Sequence, residues 1–434
     1  MTRAVATKFS GILALAFCSV VHAELDDRLA LIDDYVNAYV DMAAFDGVVL
    51  IAEGGNIVYR QNFGNADYSQ SVPMAAETVF RIASLSKQVT QAAIGRLIDQ
   101  GKLTTDQSLS EFLPDFPNAE RISIRQLLDH TAGVAHTNRL GWMDMKSAMT
   151  LDEIVEGLSG EALLFTPGEN NQYSNGGYAL LAKVIEVASE MTFGEFIASE
   201  FTHQGYPSIG HETANEVVAG MATRYAPGPV YGQRVNAETY ITANRIGGGS
   251  LYANAADILR FFIASYGGEI LSAATTREMF PRPEDGDIQI TGRSPGALAQ
   301  IYLDLNDGLT VGTFSSNSAW PGSLNSDVVA LYRGGDATLT DFTVSHAPLG
   351  DTERSSVTGE FVADRFGWDW TIVPEGNQFA IRQNELHTAF VRTTDGEFHA
   401  PIYDWLCRYS DYGLEFECRQ RDPDAEIRFN FQRR

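Results

Sequence analysis

Lysine is scarce in this chain of 434 residues. Beyond the first eight positions only Lys87, Lys102, Lys146 and Lys183 occur, and arginine carries most of the positive charge. Lysine and arginine together number 31 against 56 acidic residues, a formal net charge of −25. Nucleic acid and anionic membrane surfaces both need clustered cations, so neither is expected as a partner. An acidic surface reads first as a solubility device. Cysteine is rarer still, at three, and no Cys–His–Asn pattern surrounds Cys407 or Cys418, so neither reads as catalytic. The eight histidines show no His-Glu-x-x-His or other close ligand spacing, and no metal is expected. Gly247-Gly248-Gly249 lacks the strand–turn–helix context of a phosphate loop and reads as a tight backbone approach, so no cofactor is called for. Internal repeats and low-complexity tracts are absent.

Long apolar runs are missing too. The nearest is Gly11 to Val20, after the basic Arg3 and Lys8 and before Val21-His22-Ala23. It is too short for a stable anchor, which needs about 20 residues, and fits a cleaved signal peptide over residues 1–23. Phe17 is larger than a lipoprotein site accepts before Cys18. Export to the periplasm or the medium is therefore expected, with no membrane span after cleavage. In an oxidising compartment the remaining pair, Cys407 and Cys418, is expected to form a disulfide across a turn at Ser410-Asp411-Tyr412-Gly413.

What the chain does have is apolar pattern. Hydrophobic residues make up 44%, enough for a large domain and a smaller one. Leu25 to Met42 repeats apolar residues at helical spacing, and Ser84 to Gln100 and Tyr178 to Glu190 do the same. Gly47–Ile51 and Ile57–Tyr59 read as strands around Gly54-Gly55-Asn56. Ala297–Leu305 and Leu309–Ser315 flank Asn306-Asp307-Gly308, a hairpin turn. This order predicts an α/β (α+β) domain over residues 24–350, an antiparallel sheet flanked by helices with a helical subdomain. From about Ser356 short alternating segments predict a β-rich domain over residues 356–434, a small barrel or sandwich.

Chemistry concentrates at two places. Ser84-Leu85-Ser86-Lys87 opens a predicted helix, so its Ser and Lys stand one turn apart on one face. A serine hydroxyl needs a neighbour to take its proton, and a lysine of lowered pKa does this where arginine cannot. A chain that uses arginine almost everywhere has kept lysine here. Tyr173-Ser174-Asn175 precedes Gly176-Gly177-Tyr178; its tyrosine can share a proton with a lysine, and its amide can orient a substrate carbonyl. His130 reads as satisfying hydrogen bonds inside its own turn. Trp142 and Met143–Met145 stand equally as pocket lining or core.

Taken together and in this order, these residues resemble the serine β-lactamase and D-Ala-D-Ala peptidase superfamily, nearest the branch of class C β-lactamases, D-aminopeptidases and related esterases. The resemblance runs from about Phe45 to Asp336, through Phe80–Lys87, Leu127-Leu-Asp-His-Thr-Ala-Gly133, Pro167–Tyr178 and Gly247–Asp257. It implies a nucleophilic Ser84, an activating Lys87, Tyr173 as base and leaving-group acid, and Asn175 as a substrate contact. The first base, Lys87 or Tyr173, is left open. The third motif, Ile290-Thr291-Gly292-Arg293, departs from the family: Ile290 stands where relatives carry Lys or His, and the stretch before it looks shortened, so a trimmed strand is expected. Thr291, Gly292 and Arg293 still match as substrate-binding positions, with the Arg293 and Ser84 N–H groups as an oxyanion hole. Ile290 implies weak recognition of a substrate carboxylate at that end, so an efficient β-lactamase is not expected. The implied activity is hydrolysis of an amide or ester, in a small molecule or peptide such as one from the cell wall. A weakened or binding-only protein of the same fold is the alternative.

Overall fold

The computed structural model describes residues 9–319, 324–337, 344, 350–363, 369–383, 386–403, 405–409, 415–420 and 428–434. No helix among them is long and apolar enough to cross a membrane. The start of the expected signal peptide, residues 1–8, lies outside the described residues. From Phe9 the backbone is one helix to Asp41, α1 (Phe9–Asp41), which begins earlier than the Leu25 expected from periodicity. No glycine or proline stands between Ile12 and Asp41 to stop it.

The larger unit is built on five antiparallel strands: β1 (Gly47–Glu53), β2 (Asn56–Phe63), β3 (Asp287–Ser294), β4 (Ala297–Asp304) and β5 (Leu309–Ser315), in the order β3-β4-β5-β1-β2. Side chains alternate across a strand, and β1 shows how the sheet serves two cores. Val49 and Ile51 face α1, where Ile32, Tyr35, Val36 and Tyr39 form one stripe beside α5 (Leu324–Tyr332). Val48, Leu50 and Ala52 face the opposite way, into a larger core with α2 (Ser86–Asp99), α3 (Asn175–Ser189) and α4 (Ala255–Gly267). The turn between β1 and β2 needs left-handed backbone, which Gly54 and Gly55 supply at φ +52° and +84°. The sequence expectation of a sheet flanked by helices thus describes the fold.

The C-terminal unit is a closed eight-stranded barrel rather than a sandwich, formed by β6 (Gly359–Ala363), β7 (Asp369–Glu375), β8 (Gln378–Gln383), β9 (Leu386–Arg392), β10 (Phe398–Ala400), β11 (Trp405–Tyr409), β12 (Glu415–Gln420) and β13 (Arg428–Arg433). β6 pairs with both β7 and β13, which closes the ring. Trp370, Phe361, Phe379, Phe390, Phe416 and Phe431 fill it. The short strand β10 escaped the sequence reading, being only three residues long. Cys407 and Cys418 stand opposite each other across β11 and β12, fully buried, and are bonded. The turn expected between them, Ser410–Gly413, lies outside the described residues.

Candidate active site

The strand Val79–Arg81 delivers the chain into a single 3₁₀ turn, Ala83–Leu85, and only then into α2. Ser84 therefore precedes the α-helix instead of opening it. The tight turn still leaves Ser84 and Lys87 one turn apart, because 3₁₀ geometry repeats every three residues. Ala83 is held at φ +46°, a left-handed conformation that costs a non-glycine residue roughly 1–2 kcal/mol.

Tyr173 sits just ahead of α3, and Ser174 caps that helix by accepting the Gly177 N–H. The Tyr173 Oη and Ser84 Oγ are 2.8 Å apart, within hydrogen-bond distance. The tyrosine is 44% exposed, so this pair faces open space that a substrate can enter. Lys87 is buried beneath it, with Nζ 4.6 Å from the centre of the Tyr173 ring. Its ammonium group donates to Asn175 Oδ1 at 2.7 Å and to the Gly248 carbonyl at 2.6 Å.

Burial, and then the charge of Arg245, hold the Lys87 pKa well below its ordinary value. A neutral lysine has two N–H donors and one lone pair. With both donors taken by Asn175 and Gly248, the lone pair is what remains to accept a proton. Tyr173 is pushed the other way: burial raises its pKa, against the opposing pulls of its hydrogen bond to Ser84 and of Arg245. Burial thus favours the uncharged form of both groups, the amine and the phenol alike.

Two histidines fix the Tyr173–Asn175 segment. His130 Nδ1 accepts the Ser174 N–H at 3.2 Å, and His136 Nδ1 accepts the Asn175 N–H at 3.1 Å. The partner of His130 is therefore this neighbouring segment, not its own turn as the sequence suggested. Burial, first among the causes, pushes both imidazoles down to about 4, so both are neutral acceptors above pH 5. Asn175 is fully engaged, since its Nδ2 also donates to Asn138 Oδ1 at 3.0 Å. It holds Lys87 in place.

The third motif lies on β3, all eight residues of which pair with β4. Gly292 is required by close approach, because a Cβ there would stand 2.3 Å from the Ile82 carbonyl oxygen and 2.9 Å from Ser84 N. This contact brings the backbone of Gly292-Arg293 beside the Ser84 N–H. Thr291 is exposed, and Ile290, one of the side chains at the edge of the larger core, packs on it. Arg293 turns aside, with Nη2 donating to the Ser318 carbonyl at 3.4 Å. Gly292→Ala is expected to lower kcat by about 10²–10³-fold, the usual effect of losing one oxyanion-hole donor. Steady-state kinetics on the folded variant checks this; wild-type kcat would mean that the strand's approach to Ser84 is unimportant.

Several functional groups carried no sequence signal: Arg245, His136, Asn138 and the Gly248 carbonyl. The glycine run did point to crowding, and a Cβ on Gly248 would lie 3.1 Å from Asn175 Oδ1 and 3.3 Å from Lys87 Nζ. Trp142 and the methionines beside it are core. Met143 is buried, Met145 packs on the core's rim, and Trp142 does so while donating to Glu161 at 2.9 Å.

A family profile described as Beta-lactamase matches residues 32–325, ending before the barrel begins. Penicillin-binding protein 4* of Bacillus subtilis (strain 168) is 33% identical over 258 residues, 54% of this chain and 55% of that protein. The chain thus spans a little over half the length of this relative. Esterase EstB of Burkholderia gladioli is 27% identical over 312 residues, 61% of this chain and 77% of the esterase. Among solved structures, D-amino acid amidase from Ochrobactrum anthropi SV3 superposes with a TM-score of 0.61 at 20% identity, covering 70% of this chain and 96% of the amidase.

Proposed function

Because this chain belongs to the beta-lactamase family, we propose that it is an exported serine hydrolase that cleaves an amide or ester bond through an acyl-enzyme on Ser84. The observation that carries this reading is the hydrogen bond between Ser84 Oγ and Tyr173 Oη above a buried lysine of lowered pKa. Ser84 Oγ attacks the substrate carbonyl, and its proton passes through Tyr173 towards the Lys87 lone pair. The N–H groups of Ser84 and Arg293 stabilise the oxyanion. As the bond breaks, the leaving amine or alcohol takes a proton back from Tyr173. Water then attacks the ester carbonyl on Ser84, losing its proton by the same route, and releases the acid.

The relatives named esterase and D-amino acid amidase favour an ester or a D-amino-acid amide as substrate. Treatment with a fluorophosphonate, followed by peptide mapping, tests the reading: the adduct belongs on Ser84. A folded protein that takes no label and turns over neither p-nitrophenyl esters, D-amino-acid amides nor nitrocefin would instead be the binding-only alternative.

Export rests on the basic and apolar pattern of residues 1–23 and accords with the bonded Cys407 and Cys418. The pair is 11 residues apart, and closing so short a loop stabilises the barrel by about 2–3 kcal/mol in the loop-entropy model. Thiol titration of the denatured, unreduced secreted protein is expected to find no free sulfhydryl. One or two titrating thiols would contradict the bridge.

A further inference from the structure

Ile290 leaves the third motif without its cation, yet Arg293 stands three residues along the same strand, with Arg245 beside it. A cavity of about 350 Å³ opens there between the two units. The larger unit contributes Arg245, Arg293 and Ser318, and the barrel contributes His387, Ile402 and Tyr403. Its volume holds roughly a dozen water-sized groups. Arg245 donates from Nη1 to the Arg293 carbonyl at 3.4 Å and lies over the Tyr240 ring at 4.7 Å. Its Nε is buried with no hydrogen-bond partner among the described residues. The guanidinium as a whole lines the cavity, and its charge is what an incoming carboxylate would meet.

The leaving group must lie within reach of Tyr173, its proton donor, and Tyr173 does not line this cavity. Ser84 does not line it either; the tie to the nucleophile is Arg293, whose neighbour Gly292 lies against the Ser84 N–H, so an acyl chain that runs past Arg293, away from the leaving group beside Tyr173, enters this cavity. Glu238 also lines it, which makes an amine the competing ligand. Two arginines against one carboxylate favour an anion.

We infer that Arg245 and Arg293 form an acyl-side anion pocket, closed by the barrel at Tyr403, and that the preferred acyl group carries a free carboxylate. The inference rests on the serine-hydrolase reading. It also assigns the barrel a part in specificity, since the wall opposite the arginines belongs to it.

Matched p-nitrophenyl esters of adipic acid, monomethyl adipate and 6-aminohexanoic acid test the inference, because only the far end of the acyl chain differs. The expected result is a kcat/KM at least tenfold higher for the free carboxylate than for the methyl ester, in line with a charge-assisted hydrogen bond. Arg245→Gln should bring that ratio close to one, and Arg245→Lys, which keeps the charge, should retain part of it. A ratio near one in the natural protein, a preference for the amine, or a ratio unchanged in Arg245→Gln would overturn the pocket. If Ser84 is labelled and the neutral ester is hydrolysed without discrimination, the pocket alone falls. If no ester is hydrolysed and Ser84 takes no label, the hydrolase reading falls and the pocket with it.

Discussion

Ser84→Ala is expected to reduce turnover by about a millionfold, the scale seen when a serine hydrolase loses its nucleophile. It should also abolish labelling by fluorophosphonates. The side chain is small and partly open to the cleft, so stability should change by no more than about 0.5 kcal/mol. Intact-mass measurement before and after probe treatment reads the first effect, and thermal unfolding reads the second. An adduct that persists in Ser84→Ala, on any other serine, would move the nucleophile elsewhere and sink the assignment.

Lys87 should be nearly as sensitive. Losing a proton-transfer partner typically costs about 10²–10⁴-fold, and Lys87→Arg should be almost as damaging as Lys87→Ala, since arginine keeps its proton. Substantial activity in Lys87→Arg would make Lys87 only a fixed charge. In the proposed mechanism Lys87 works as the neutral amine, so activity should fall as pH drops through its lowered pKa. His130 and His136, already neutral above pH 5, cannot supply that limb if it lies higher. Stability carries the same sign. The unfolded lysine stays protonated up to about pH 10.4 while the folded one does not, so the unfolded state binds more protons and burying Lys87 costs stability at neutral pH. Lys87→Met is therefore expected to melt higher than the natural protein at pH 7 while being inactive. A lower melting temperature would mean that the bonds to Asn175 and Gly248 outweigh the burial of the amine.

The sequence made some of this legible and left the rest dark, for reasons visible in particular residues. Ser84 and Lys87 could be paired because three positions along a helical turn is a local distance. Tyr173 and Asn175 could be attached to them only through family resemblance, since 89 residues separate Tyr173 from Ser84. Arg245 had neither advantage: nothing local marks it, and its importance lies in a charge felt by Lys87, Tyr173 and His136 once the chain is folded. For His130 the reading as a hydrogen-bonding residue was right, but its partner comes from a different loop. The sheet was legible because β1 is a short unbroken apolar run, Val48 to Ala52, that ends at a glycine turn, the pattern of a strand buried on both faces. The choice between barrel and sandwich was not, because it depends on whether β6 meets β13 at the far end of the chain.

The two units answer one hazard in opposite ways. A strand with an unpaired side is a template on which other copies can build, the usual first step towards aggregation. The C-terminal unit removes the hazard by closing its ring. The five-stranded sheet cannot do so at β3, because a sixth strand there would cover the approach to Ser84. That edge has to stay bare for a substrate to reach Ser84. It is guarded instead by the charge of Asp287 at its start and by Pro295 just beyond its end, a residue with no amide hydrogen to offer. One of the sheet's two edge strands is thus one that function forbids the fold to cover, and its sequence bears the burden of keeping other chains away.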